Sequence, residues 1–425
     1  MQQDTRNLLK AAARVVVATC AALSASASFG QTLNPAPSWV TDIAPGKWAI
    51  VSQNRLSDID PEDESAANPN YPDMAPWHGS TGQKAVIQSW NGGIFASGLG
   101  SSGSLVLYGG GHANYKGSEL YAFDMATRTW TRLTNPYKGP FAWPYSKAEY
   151  PDGSAIPPHT YDFVEYHPRT NSFVLLKGQT ELGPPSNDTA VAIAHGFDLG
   201  TRKWRRSPQN GDVQIYSGGY SVYDSKRDVF WVEGGSSSNA FVKFDPNTSN
   251  GDGTFGTWTN YATQLRMTDS VAAYDPGQDL FVVTGFRNSE SVYAIDLANP
   301  SSPKVALKES GTPPSKQPAH GWEWSPGRQA FLYWRSGSEV YEFKLTSDDW
   351  RTGTWTWSKV TSGSNSVTPA AMEVDNGAYS RFRIARYSNA EVAVVVNSVD
   401  GPVYAFRIPT TPTIAPKPPT EVTAN

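Results

Sequence analysis

The chain has 425 residues, with 37 glycines, 32 prolines, 12% aromatic residues and a formal net charge of −4. A mildly acidic balance argues against a general binder of nucleic acid or of an anionic membrane, since both reward clustered positive charge. The absence of long 3.6-residue periodicity outside the N-terminus excludes a helical bundle and points to an all-β chain.

Residues 1–27 read as an export signal. Arg6, Lys10 and Arg14 form a basic head. The apolar run 15–23 is too short to span a bilayer. Ala25, Ser26 and Ala27 give a small-x-small cleavage site, with Ser28, Phe29 and Gly30 as a second option. The expected destination is the periplasm or the exterior. Cleavage removes three basic residues and one acidic residue, so the formal charge goes from −4 to −6. It also removes Cys20, the only cysteine. A lipoprotein role for Cys20 fits poorly with Thr19 before it. The mature chain is therefore expected to lack disulfides and thiol nucleophiles.

Residues 28–84 form an N-terminal segment. Within it, 47–52 (KWAIVS) looks like a lone Trp-containing strand. Residues 85–409 carry a repeat. An apolar strand ends in glycine, a polar loop follows, a second strand ends in aromatic-Asp, and a Trp strand comes next. The second strand reads LYAFD to Asp124, AHGFD to Asp198, FVKFD to Asp245, VYAID to Asp296, VYEFK to Lys344 and VYAFR to Arg407. The spacing of about 50 residues is the mark of a β-propeller. Six blades are countable, and a seventh would need 54–83, which lacks strand alternation. The sixth copy has no Trp strand after it, so 47–52 is expected to complete that blade and close the ring, hiding a sheet edge. The Pro/Thr-rich stretch 410–425 cannot bury a core and is expected to be disordered.

Propeller topology sorts residues by face. Strands a to d run outward from the axis. Loops b–c and the connections from d to the next a share one face, where ligand sites usually lie because every blade contributes a loop. That places His112, Tyr115, Arg287 and Arg335 in b–c loops, and His159, Tyr161, His320, Trp322, Tyr379 and Arg381 at the starts of a strands. His167 falls on the opposite face. The d-strand tryptophans Trp48, Trp130, Trp204, Trp258 and one of Trp355 or Trp357 are expected to pack between blades. The repeated Asp is expected to cap a turn. No local zinc signature, P-loop, GxSxG or dinucleotide fingerprint is present. The expectation is no metal and no cofactor.

The stretch GGGHANYKGSELYAFD, 109–124, resembles exported bacterial kelch-like propellers, a group that includes galactose oxidase central domains and ulvan lyases. Galactose oxidase chemistry needs a cysteine-linked tyrosine, which a chain without cysteine cannot make. The lyase resemblance implies a histidine and a tyrosine at the mouth, with arginine facing a uronate carboxylate, and His112 sits on the matching GGGH. On this reading His112, His159 and Tyr161 are the candidate catalytic residues. Tyr115, Arg287, His320, Trp322, Arg335 and Arg381 are the candidate substrate contacts. β-Elimination needs a base for the proton beside the carboxylate and a cation to offset the growing charge. Glycoside hydrolysis, needing two facing carboxylates, has only Glu181, Asp269 and Glu290 placed for it. The different-class alternative is a propeller that binds a glycan or a protein on its loop face without catalysis.

Overall fold

The computed structural model describes residues 33–61, 81–111, 115–137, 148–179, 190–215, 217–235, 241–261, 267–284, 291–372, 374 and 376–410. Of the two units into which the chain divides, 1–33 and 34–425, only Leu33 of the first is described.

The described strands form a six-bladed β-propeller. Blade 1 is Gly93–Ala96, Ser104–Leu107, Tyr121–Asp124 and Thr129–Arg132, strands a to d in order. Blade 2 is Val164–His167, Ser172–Leu175, His195–Asp198 and Lys203–Arg206. Blade 3 is Tyr220–Asp224, Val229–Glu233, Phe241–Ser249 and Phe255–Tyr261, and blade 4 is Val271–Asp275, Leu280–Thr284, Tyr293–Asp296 and Val305–Ala306. Blade 5 is Gly321–Ser325, Ala330–Trp334, Tyr341–Leu345 and Thr354–Lys359. Blade 6 is Arg383–Arg386, Glu391–Val396 and Val403–Arg407, with Trp48–Ile50 as its d strand. Each a strand lies beside the a strand of the next blade, and that of blade 6 lies beside that of blade 1.

The closure expected for 47–52 is present. Trp48 pairs with Phe406, Ala49 with Ala405 and Ile50 with Tyr404, antiparallel. Backbone bonds from Gly46 to Arg407 and from Val51 to Val403 extend the pairing at both ends. Two features exceed the expectation. Gly178–Gln179, Ala190–Ala192 and Asn210–Gln214 make a small separate sheet beside blade 2. In blade 4 the d strand lasts only two residues. The chain then crosses to blade 5, where Lys308–Gly311 pairs parallel with Thr354–Lys359.

The repeat motif becomes a cross-strand aromatic pair. The Phe of each c strand faces the Trp of its d strand: Phe123 with Trp130, Phe197 with Trp204, Phe244 with Trp258, Phe343 with Trp357, and Phe406 with Trp48. Ring centroids lie 4.6–5.4 Å apart. Such pairs add to the large apolar area that each ring removes from water. Blade 4 has no such pair: Ile295 stands in the Phe position, and the short d strand reaches only Ala294, which faces Val305. The repeated Asp caps its turn. Asp124 Oδ1 accepts from the Ala126 and Thr127 amides, and Asp198 Oδ1 from Gly200 and Thr201, each at 2.8 Å.

The axis is tied by charge rather than by apolar packing. Arg383 of blade 6 donates from Nε to Gly93 O of blade 1 at 2.8 Å and from Nη2 to Val164 O of blade 2 at 2.9 Å. Its Nη1 donates to Glu323 of blade 5 at 2.8 Å, and Glu165 lies 3.7 Å from Nη2. Just before blade 2, Asp162 accepts from the Ala272 amide of blade 4 through Oδ2, and from Ser221 of blade 3 through its carbonyl. Burial pushes the Asp162 carboxyl up to about 7 and that of Glu165 up to about 8, against the opposing pull of Arg383. Burial also raises Glu323.

Two predictions follow from this packing. Trp48 is 3% exposed, so Trp48→Ala should lower unfolding free energy by about 3–5 kcal/mol, read as a shift in the urea midpoint. A shift no larger than that of a surface alanine would show that the closing strand carries little. The second prediction concerns pH. Asp162 and Glu165 bind protons more tightly folded than unfolded, where carboxylates titrate near about 4. The stability they lend is therefore fully present below about pH 4 and is lost as pH rises through about 7 to 8. Urea midpoints should fall between pH 5 and pH 8.5, and Glu165→Gln should flatten that slope. A slope unchanged in the variant would remove Glu165 as its source.

Candidate functional site

Each a strand is entered through one residue with a left-handed backbone. These are Trp90, Tyr161, Gly218, Asp269, Ala319 and Tyr379, with φ of 51°, 45°, 74°, 52°, 53° and 44°. Five of the six are not glycine, and such residues seldom take this conformation. Neighbouring blades hold it in place. The Tyr161 amide donates to Trp90 O at 2.6 Å, Ala319 to Asp269 O at 2.8 Å, and Tyr379 to Ala319 O at 3.1 Å. The result is a ring of residues around the axis on the b–c loop face.

Several side chains of this ring meet. His159 and Tyr161 have ring centroids 6.0 Å apart, edge to face, and Tyr161 stands 5.7 Å from Tyr379. The Tyr379 hydroxyl donates to Asp269 Oδ1 at 3.3 Å. Burial, then the Asp269 carboxylate, holds the Tyr379 phenol well above its ordinary range, so it stays protonated and donates a hydrogen bond. The buried Lys177 ammonium sits 4.9 Å from the Tyr161 ring centroid. Trp90 packs edge-on to His159 at 5.1 Å. His159 Nδ1 lies 2.8 Å from Ser89 O, which can only accept, so Nδ1 carries a proton. His159 and Tyr161 are 5% and 6% exposed, so solvent reaches them only at their edges.

A second quarter of the mouth is built by blade 5. His320 is buried, its Nδ1 2.8 Å from Gln317 O and its ring 4.3 Å from Tyr333. Burial pushes it down to about 3, helped by Arg335 and Lys316, so it is a neutral histidine. Arg335 is half-buried in the b–c loop nearby.

The other residues singled out in the sequence have structural surroundings. Tyr115 is buried and donates to Glu119 Oε1 at 2.7 Å, as Tyr121 does at 2.8 Å. Trp322 lies in the blade 5 core, stacked on Phe331 at 4.9 Å. Arg381 is buried and spends its donors on the carbonyls of Val396, Asn91 and Gly377. Burial lowers it to about 9. His112 and Arg287 lie outside the described residues. His167 falls on the opposite face, between Thr170 Oγ1 and Asp228 Oδ1 at 2.7 and 2.8 Å.

Sequence reading did not single out Lys177 or Trp90. The signal for Lys177 is faint, one lysine directly after the apolar run FVLL. Trp90 occupies the blade 1 position equivalent to Tyr161, but its left-handed conformation has no glycine to announce it. Among the described residues, no group of three or more His, Cys, Asp or Glu could hold a metal ion.

No family model matches the chain, and no curated protein matches it. Among solved structures, the chain is similar to the major Malassezia sympodialis allergen Mala s 1, at 10% identity over 76% of this chain and 93% of that one, with a TM-score of 0.45. A likeness of that degree carries no argument about the site.

Gly111 explains part of the GGGH motif. Its φ is +83°, and a Cβ there would overlap the His159 imidazole. Gly111→Ala should cost about 1–3 kcal/mol and move His159, visible as a changed histidine Nε2 resonance in NMR. An unperturbed resonance at wild-type stability would show that the contact does not position the ring.

Proposed function

We propose that this chain is an exported, kelch-like propeller that takes a uronate-containing polysaccharide at the b–c loop mouth and cleaves it by β-elimination. The observation that carries the reading is the His159–Tyr161 pair, flanked by Tyr379 and Asp269 and by the cation Lys177. It combines an imidazole whose Nδ1 is held by a carbonyl, two phenols and a buried lysine.

The chemistry follows from those groups. His159 Nε2 takes the proton from the carbon beside the sugar carboxylate. The electron pair left behind forms the new C=C bond as the C–O bond one carbon further on breaks. A tyrosine hydroxyl gives its proton to the departing oxygen, and Tyr161 and Tyr379 are the candidates. Negative charge grows on the carboxylate during proton removal, and Lys177 and Arg335 are the residues assigned to offset it. Water is largely kept out, which strengthens each of these interactions.

The test is incubation of the full chain with a panel of uronate polysaccharides, following absorbance of the unsaturated product. Product should form on at least one. His159→Gln and Tyr161→Phe should each lower turnover by about 10²–10⁴-fold while circular dichroism stays unchanged. Arg335→Ala should raise KM for the acidic polymer. Saturable binding without product would leave a non-catalytic glycan propeller in place of the lyase. New reducing ends without unsaturation would indicate hydrolysis. Either result overturns the elimination.

A further inference from the structure

The opposite end of the axis holds a cavity of about 350 Å³, bordered by the Arg383 cluster and apart from the groups of the b–c loop mouth. All six a strands line it, and so do residues of the a–b turns, among them Pro168, Ser225, Pro276 and Pro326. It therefore opens on the face away from His159. Its volume is at the small end of the range for small-molecule sites, about 300–1,000 Å³.

Two kinds of group border it. The first is aromatic. Phe95, Tyr166, Tyr223, Tyr274 and Trp324 come one from each of blades 1 to 5. The tyrosine hydroxyls are already engaged, Tyr166 with Asn171 at 2.9 Å, Tyr223 with Asp228 at 2.7 Å and Tyr274 with Asp279 at 3.0 Å. What these rings offer a ligand is their π surface. The second kind is charged. Glu165, Glu323, Arg383 and Arg386 all line the cavity. Arg386 is half-exposed and lies 3.8 Å from Glu391, which offsets it. Arg383 faces both glutamates, with Asp162 close enough to add its charge. Its donors are committed to Gly93 O, Val164 O and Glu323.

We propose that this axial cavity is a second binding site, and that it takes a small organic cation of the ammonium class. An anion would meet two carboxyl groups and a guanidinium whose N–H groups are spent. An ammonium meets two carboxyl groups, Glu165 and Glu323, beside one guanidinium, and a set of rings that attract cations over their faces. Glu165 lines the cavity with its carboxyl pushed up to about 8, so a cation beside it favours the ionised form and binding releases a proton. The site is independent of the reaction proposed for the other face.

Calorimetry on the full chain at pH 7 tests this, with tetramethylammonium and 1,4-diaminobutane as probes and sulfate as the anion control. Both cations should bind once per chain. The observed heat should change with the ionisation enthalpy of the buffer, as proton release requires, and sulfate should give no heat. Trp324→Ala should weaken tetramethylammonium by about tenfold. This variant leaves the Arg383 cluster whole, so it remains informative if Glu323→Gln, expected to weaken both probes, fails to fold. Absence of binding by both cations, binding of sulfate in their place, or affinity unchanged in Trp324→Ala would overturn the proposal.

Discussion

The ring depends on how six blades are tied at the axis, and here the tie is a guanidinium. A propeller's a strands are too far apart across the axis for one apolar core to fill. Arg383 spans that gap with a planar fork of donors, reaching carbonyls of blades 1 and 2 and a carboxylate of blade 5. Asp162 reaches blades 3 and 4. Between them the two residues touch every blade. Neither stands alone in its desolvation, because each buried charge has opposite charge or amides around it. The cost shows in the carboxylates, which hold their protons to unusually high pH.

This hub divides the axis into two ends of different chemistry. On the b–c loop side stand His159, His320, Tyr161 and Tyr379, with Asp269, Lys177 and Arg335. On the a–b side stand Glu165 and Glu323 among aromatic rings. The two proposals follow that difference, an acidic ligand on one face and a basic one on the other. The difference arises from strand geometry. Side chains at the start of an a strand and those near its end sit on opposite sides of the Arg383 layer, although only a few residues separate them in the chain.

The blade count, the closing strand and the Trp positions were legible in the sequence because they are local and repeated. Phe123 and Trp130 are seven residues apart, and the same spacing recurs at Phe197 and Trp204. The turn-capping aspartates were legible for the same reason. The hub was not. Glu165, Glu323 and Arg383 each stand four residues after the entry residue of their blade, but the other blades carry Ile94, Val222 and Ala273 there, so no repeated residue type marks the position. The face on which His159, Tyr161 and Arg335 sit followed from topology alone. Their surroundings did not, and burial separates residues that topology groups together. Arg381 and Trp322 share the same end of the a strands with Tyr161, yet one is saturated by carbonyls and the other is core.

The left-handed ring bears on how firmly the mouth is held. A non-glycine residue in that region costs about 1–2 kcal/mol, and five such residues stand at equivalent places. Strain of that size persists only where surrounding structure over-determines it. The inter-blade amide bonds from Tyr161, Ala319 and Tyr379 supply that constraint, each linking one blade's entry residue to the previous blade's carbonyl. Relaxing any one residue would therefore break a bond to its neighbour. Tyr161, Asp269 and Tyr379 are themselves members of this ring. Their positions are fixed by backbone rather than by flexible loops, which is what a site requiring sub-ångström placement of proton-transfer groups demands.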